Sequence, residues 1–157
     1  MSKAEEPLVR PGQVLRTLSE DEAAALTKAW MQVYGRRGQG LNMKDFMWHV
    51  FSGGGFDCLS GQEALTAYVT RQAAEYVVLS NDRRTAFVTD VRPDRAALSD
   101  YMVFPPNLAW TMAFTHEDGW LGPYFAVHPD ALRLEADNLA GIRKKQQVEA
   151  ARAKGWI

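Results

Sequence analysis

Cysteine is nearly absent from this chain of 157 residues: Cys58 stands alone, so no intrachain disulfide can form. A lone thiol fits a reducing compartment. Long hydrophobic runs are lacking as well, and none approaches the ~18–20 residues that a membrane helix needs. The opening Met1-Ser2-Lys3-Ala4-Glu5-Glu6-Pro7 has no apolar core of a secretory signal. The expectation from these absences is a cytoplasmic protein with no membrane partner.

Charge of one sign is missing too. The 18 Lys and Arg against 19 Asp and Glu leave a net charge of −1. Nucleic-acid binding favours a clustered basic surface, so no nucleic-acid partner is expected. The local exception is Arg143-Lys144-Lys145, continued by Arg152 and Lys154, and basic residues late in a helix are also what the helix dipole favours. Internal repeats, low-complexity tracts and a second domain are likewise not found.

What is present is material for one core. Apolar residues make up 46% of the chain and aromatics 11%. A domain of this length buries roughly two-thirds of the surface its unfolded chain exposes, so neither a metal nor a disulfide is needed for folding, and no cofactor is expected. The chain divides into an irregular lead-in over residues 1–18, punctuated by Pro7 and Pro11, and a single α+β domain over 19–157.

Three helices are expected first. Ser19 with Glu22 three residues on forms a reciprocal capping box, Leu26, Trp30, Val33 and Tyr34 follow at helical spacing, and Gly35 ends the run. A second helix is expected from Asn42 to Phe51, stopped by Gly53-Gly54-Gly55. A phosphate-cradling glycine loop leads into a helix N-terminus and usually a lysine; here Phe56-Asp57-Cys58 follows instead, with an anionic side chain, which argues against nucleotide binding. Ser60 and Glu63 repeat the capping-box spacing ahead of a third helix carrying Ala64, Leu65, Tyr68 and Val69.

From Tyr76 the period changes to that of strands. Tyr76–Leu79 and Ala86–Val88 are joined by the polar connection Asn81-Asp82-Arg83-Arg84. One helical turn is expected over Asp94–Leu98, then strands at Tyr101–Phe104, Trp110–Thr115 and Tyr124–Val127. Short connections require antiparallel pairing, giving a sheet of about five strands. Pro129-Asp130 opens one long C-terminal helix with Leu132, Leu139 and Ile142 as its apolar stripe and Leu134 beside it.

The segment Thr115-His116-Glu117-Asp118-Gly119-Trp120-Leu121-Gly122-Pro123-Tyr124-Phe125 crowds an imidazole, two carboxylates and an indole onto one hairpin tip. Loops held by a rigid sheet are where binding and catalytic groups collect.

Trp48-His49-Val50-Phe51-Ser52, then Asp57-Cys58-Leu59-Ser60-Gly61, then Thr115-His116-Glu117 with Gly122-Pro123-Tyr124-Phe125 stand in a distinctive order. In these segments the chain resembles a bacterial family of small cytoplasmic proteins catalogued only as a domain of unknown function. The resemblance covers roughly residues 44–126, leaving the lead-in and the last helix outside. It implies no catalytic residue. It implies only that Trp48, His49, Cys58, His116, Glu117 and Tyr124 belong together in space. Gly53-Gly54-Gly55 stands where the family pattern has a bulkier run.

Four kinds of chemistry are open. A metal or hydrolytic site would draw on His49, His116, His128, Glu117 and Asp118, but no His-Glu-x-x-His or Cys-x-x-Cys spacing exists, and no metal is expected. Cys58 could serve as a nucleophile with His49 or His116 as base, yet Asp57 beside it disfavours the thiolate, and an unpaired cysteine is more often a small buried hydrophobe. Trp30, Trp48 and Trp110 belong to apolar faces and the core, whereas Trp120 sits in a turn, where an exposed indole reads as an interface anchor. Asp57, Glu117 and Asp118, with Asp90 and Asp94 on another loop, suit a basic partner or are ordinary solvated turns.

The function expected from these residues is non-catalytic protein binding: an immunity protein that neutralises a bacterial toxin by occluding its active site. Trp120 and Tyr124 would anchor in the toxin cleft, and Asp57, Glu117 and Asp118 would meet basic groups. The alternative is a small hydrolase or transferase using His49, His116 and Glu117, with Cys58 in reserve. A third is a structural or regulatory subunit that associates through the distal C-terminal helix.

Overall fold

The computed structural model describes residues 8–36, 46–116 and 122–156. Helix α1, Glu20–Tyr34, starts at the capping box read from the sequence. The Glu22 amide donates to Ser19 Oγ at 3.1 Å, and the Ser19 amide donates to Glu22 Oε1 at 3.1 Å. Two orphan donors of the first turn are thereby satisfied, and Gly35 caps the far end.

The second helix differs from expectation. Among the described residues it is a single turn, α2, His49–Ser52, closed by Gly53; residues 42–45 of the expected span lie outside the described residues. Helix α3 is Gly61–Val69, and the capping box expected at Ser60 does not form. Ser60 is the last residue of a short strand instead, paired with Tyr124, and its side chain makes no cap hydrogen bond.

The sheet is larger than the five strands expected. Strands β1 (Val9–Arg10), β2 (Val14–Thr17), β3 (Leu59–Ser60), β4 (Tyr76–Ser80), β5 (Ala86–Thr89), β6 (Arg95–Ala96), β7 (Tyr101–Phe104), β8 (Trp110–Phe114) and β9 (Tyr124–Val127) are present. Seven form one antiparallel sheet in the order β2-β5-β4-β7-β8-β9-β3, and β1 pairs with β6 apart from it. The expected irregular lead-in thus carries β1 and β2, and the expected helical turn at Asp94–Leu98 is replaced by β6. These additional strands have two to four residues each. Such short pieces take strand form from the neighbour they pair with rather than from their own propensity, so local pattern does not reveal them.

Both faces of the sheet are covered, which explains why the central strands are apolar along their whole length. Alternate residues point to opposite faces. Val77, Leu79, Met102 and Phe104 pack with Trp30, Tyr34, Trp48 and Phe51 from α1 and α2. On the other side Tyr76, Val78, Val103 and Trp110 pack with Tyr68 of α3 and Leu134 of the last helix. Trp30 and Tyr34 find polar partners across these layers, whereas the buried Trp110 Nε1 has none among the described residues. Trp30 Nε1 donates to Thr111 Oγ1 at 2.9 Å, and the Tyr34 hydroxyl donates to the Leu108 carbonyl at 2.8 Å. Burial holds the Tyr34 phenol well above the ordinary tyrosine range, with Glu135 adding to the effect.

Helix α4, Ala131–Ala153, is the long C-terminal helix expected. Its seating is not the expected one. Leu134 is its buried residue, whereas Leu132 is 90% exposed and Leu139 47%. Polar anchors set this rotation: Asn107 Nδ2 donates to the Leu134 carbonyl at 3.0 Å, Arg71 pairs with Glu135, and Lys145 Nζ donates to the Ala74 carbonyl at 3.1 Å.

Candidate functional site

The residues that gather at one end of the sheet are organised by a buried carboxylate, Asp100. It immediately precedes β7, and the β7–β8 register places Tyr101 opposite Phe114. Asp100 therefore lies beside the residues that leave the end of β8. Its Oδ1 accepts from the His116 amide at 3.1 Å and lies 2.7 Å from His116 Nδ1. Its Oδ2 accepts from Trp48 Nε1 at 2.6 Å. A carboxylate only accepts, so the geometry places a proton on Nδ1 of His116. The acid is buried, and His116 is an ionisable side chain bonded to it. A buried charge is retained where such hydrogen bonds compensate it.

Aromatic rings extend this cluster. Trp48 stacks on Tyr124, the first residue of β9, with ring centroids 6.0 Å apart and 21° between planes. The His49 ring meets Trp48 edge-on at 4.6 Å. Phe46 lies between the two imidazoles, 5.3 Å from His49 and 5.2 Å from His116. Trp48, His49, His116 and Tyr124 are thus brought together. Cys58 is one layer removed, its Sγ 4.0 Å from the Phe51 carbonyl, while the Phe51 ring lies 6.0 Å from Tyr124. Burial, followed by the neighbouring Asp57, pushes the Cys58 thiol above its usual range, which makes it a poor nucleophile at neutral pH.

Tyr124 corrects one expectation. It is 5% exposed and belongs to the core, so it is not available to anchor in a partner's cleft. Asp57 corrects another. Ser60 pairs with Tyr124 and Leu59 with Phe125, so the chain before Leu59 runs toward Val127. Asp57 is exposed there, lining a cleft of about 960 Å³ with Arg36, Val127 and His128. It lies at the opposite end of β9 from Tyr124. His128 lies at that far end too, with its Nδ1 accepting from the Asp130 amide at 2.9 Å. The set of three histidines weighed for a metal does not converge, and no group of three or more His, Cys, Asp or Glu able to hold a metal ion occurs among the described residues. Glu117, Asp118 and Trp120 lie outside the described residues.

The return of the hairpin is tight. Gly122 has φ +94°, and a Cβ there would come within 3.0 Å of the Tyr124 ring and 3.1 Å of Thr115 Oγ1. A side chain at this position would be strained in backbone and in space.

Asp100 was not among the residues singled out from sequence. Ser99-Asp100 before a strand reads as an ordinary turn, and its importance comes from Trp48 and His116, 52 and 16 positions away. No local signal marks it.

A family model described as "Domain of unknown function (DUF4275)" matches residues 10–125. The chain belongs to this family. No curated protein and no solved structure matches the chain. The DUF4275 match begins at the end of β1 and closes within β9. It therefore takes in half of the lead-in that the resemblance leaves out, and α4 lies beyond it. Trp48, Asp100, His116 and Tyr124 all fall within the matched residues. Among the described residues of this DUF4275 domain, no helix is long and apolar enough to cross a membrane.

Proposed function

We propose that this DUF4275 domain is a protein-binding module that acts as an immunity protein in the cytoplasm of a bacterium, neutralising a toxin by covering its active site. The observation that carries the proposal is the double anchorage of one hairpin by one acid. His116, where the chain leaves β8, is bonded to Asp100 Oδ1. Tyr124, where it returns, is stacked on Trp48, whose indole N–H binds Asp100 Oδ2. Binding loops gain affinity when their ends are held in advance, because less ordering remains to be done on association. Glu117, Asp118 and Trp120 supply an acidic and aromatic composition between those two stems. Such a composition suits a basic substrate-binding cleft, with the indole as the energetic anchor. Asp57 is left out of this surface by its position at the far end of β9.

The test is co-expression with the products of neighbouring genes, followed by isolation of a nanomolar complex and alanine substitution at Glu117 and Trp120. The expected result is a loss of about 2 kcal/mol or more at Trp120. A complex indifferent to both substitutions would remove this hairpin from the interface.

A second reading, a small hydrolase or transferase, has one observation in its favour. His116 is held through Nδ1 by a buried carboxylate, the arrangement that orients a general base, and His49 lies on the same aromatic cluster. Its signature would be a turnover activity lost on His116→Gln and on His49→Gln alike.

A further inference from the structure

Helix α4 is held to the body of the domain unevenly, and the division falls at Gly141. Residues 131–140 are pinned. Leu134 is buried, its carbonyl accepts from Asn107 Nδ2 at 3.0 Å, Asn138 Nδ2 donates to Asn107 Oδ1 at 3.3 Å, and Glu135 pairs with Arg71. Residues 142–153 are not. Among the described residues one hydrogen bond joins them to the body, from Lys145 Nζ to the Ala74 carbonyl at 3.1 Å. Trp156, just past the end of the helix, is 72% exposed and adds no anchor.

The surface beneath this distal half is poorly suited to hold it. Two cavities of about 530 and 410 Å³ share Ala73 and Ala74 on the body and Lys145 and Glu149 on the helix. Open space therefore flanks α4 where it crosses the body. The side chains that the distal half turns toward these cavities are mostly polar, Lys145, Glu149 and Arg152 among them, and the apolar exceptions, Ile142 and Val148, are half-buried. Local opening is favoured where few buried apolar contacts oppose the entropy of release. Gly141 supplies the break point, because glycine in a helix interior weakens the helix relative to alanine. The body does not demand a glycine there: a Cβ built on it would lie 3.9 Å from that of Ala74, an ordinary contact.

We propose that α4 is a hinged strap, in which residues 131–140 stay fixed while residues 142–153 come away together about Gly141. Opening breaks the Lys145 tether and merges the two cavities into one trough over Ala73 and Ala74, bordered by Leu15 of the edge strand β2. A released segment this short is marginal as a helix in water, so it melts as it leaves and re-forms on the body. The strap thereby gates access to the trough. It lies beyond the DUF4275 match and uses none of the hairpin residues, so it stands independently of the function proposed above.

The test is native-state hydrogen exchange of the full chain, followed amide by amide by NMR in increasing urea below the unfolding transition. One shared opening is expected for the amides of residues 145–152, with protection about tenfold or more below that of residues 134–140 and of α1. Gly141→Ala should raise the protection of the distal amides about fivefold, the weight of that glycine in a helix interior. Lys145→Met should lower it by about the same factor, with residues 134–140 unchanged in both variants. Protection that falls smoothly toward residue 153 is end fraying and overturns the proposal. Distal amides that exchange only with the whole molecule overturn it as well, and so does a shared opening that neither substitution moves. The first two of these outcomes are read on the wild-type chain alone, whatever the folding of the variants.

Discussion

The indole of Trp48 and the carboxylate of Asp100 meet at 2.6 Å inside the domain, with both side chains almost wholly excluded from solvent. A hydrogen bond between two buried side chains has no water at hand to replace it. Removing either partner leaves the other unsatisfied.

Asp100→Ala should therefore destabilise the domain by about 3 kcal/mol in urea unfolding, since the Trp48 N–H and the His116 ring lose their acceptor together. Trp48→Phe should cost less in the Asp100→Ala background than in the wild type, because the buried donor it removes is by then unpaired. Strictly additive effects in that double-mutant cycle would show that the two side chains are not coupled.

The two serines read as helix caps separate cleanly. Ser19→Ala removes a formed capping box and should cost about 1 kcal/mol. Ser60→Ala removes no cap bond and should stay within about 0.5 kcal/mol of wild type. Equal losses at both positions in thermal unfolding would contradict the assignment.

Much of this contrast between expectation and structure has one cause. Helix α1, the β4–β5 hairpin, the strands β7 to β9 and the existence of α4 were legible, because each is a run of four or more residues with its own period and its own end signals. The strands at Val9, Leu59 and Arg95 were not, because two residues carry no period and acquire their form only beside a partner, and Val14-Leu15-Arg16-Thr17 lacks apolar alternation. The rotation of α4 was misjudged for a related reason. Leu132, Leu139 and Ile142 make a helical stripe on paper, but Asn107, Arg71 and Ala74, all distant in sequence, turn Leu134 inward instead. At the candidate site Trp48, His49 and His116 stood out by type, whereas Asp100 emerges only when three remote segments are superposed.

Gly122→Ala should destabilise by about 1–3 kcal/mol, the range for a side chain forced into left-handed backbone against close neighbours. Tyr124 and Thr115 should show the accompanying shifts in amide spectra, since their atoms bound the space the new methyl would need. A neutral Gly122→Ala, with those amides unmoved, would mean that the turn has another conformation in solution.

Cys58 makes a prediction with a definite sign. Burial, and Asp57 after it, favour the neutral thiol in the folded state, so the folded chain holds that proton to higher pH than the unfolded one. The corresponding stability is fully present at neutral pH and is lost as pH rises through the folded value on the alkaline side. Modification of the native thiol at about pH 8 should accordingly be slower than that of a free cysteine peptide, and Asp57→Asn should speed it. A rate unaffected by Asp57→Asn would leave burial as the whole cause.

Because Asp100 joins positions 48 and 116 as well as its own, the hairpin base exists only after two long chain closures have been completed. Segments that depend on remote partners assemble late and set the pace of folding. Thr115, His116 and Tyr124 should accordingly be among the last to gain protection from exchange during refolding, after α1 and the β4–β5 hairpin. If the hairpin is the toxin-binding element proposed above, a newly made chain would gain that competence only as the closing event of its maturation.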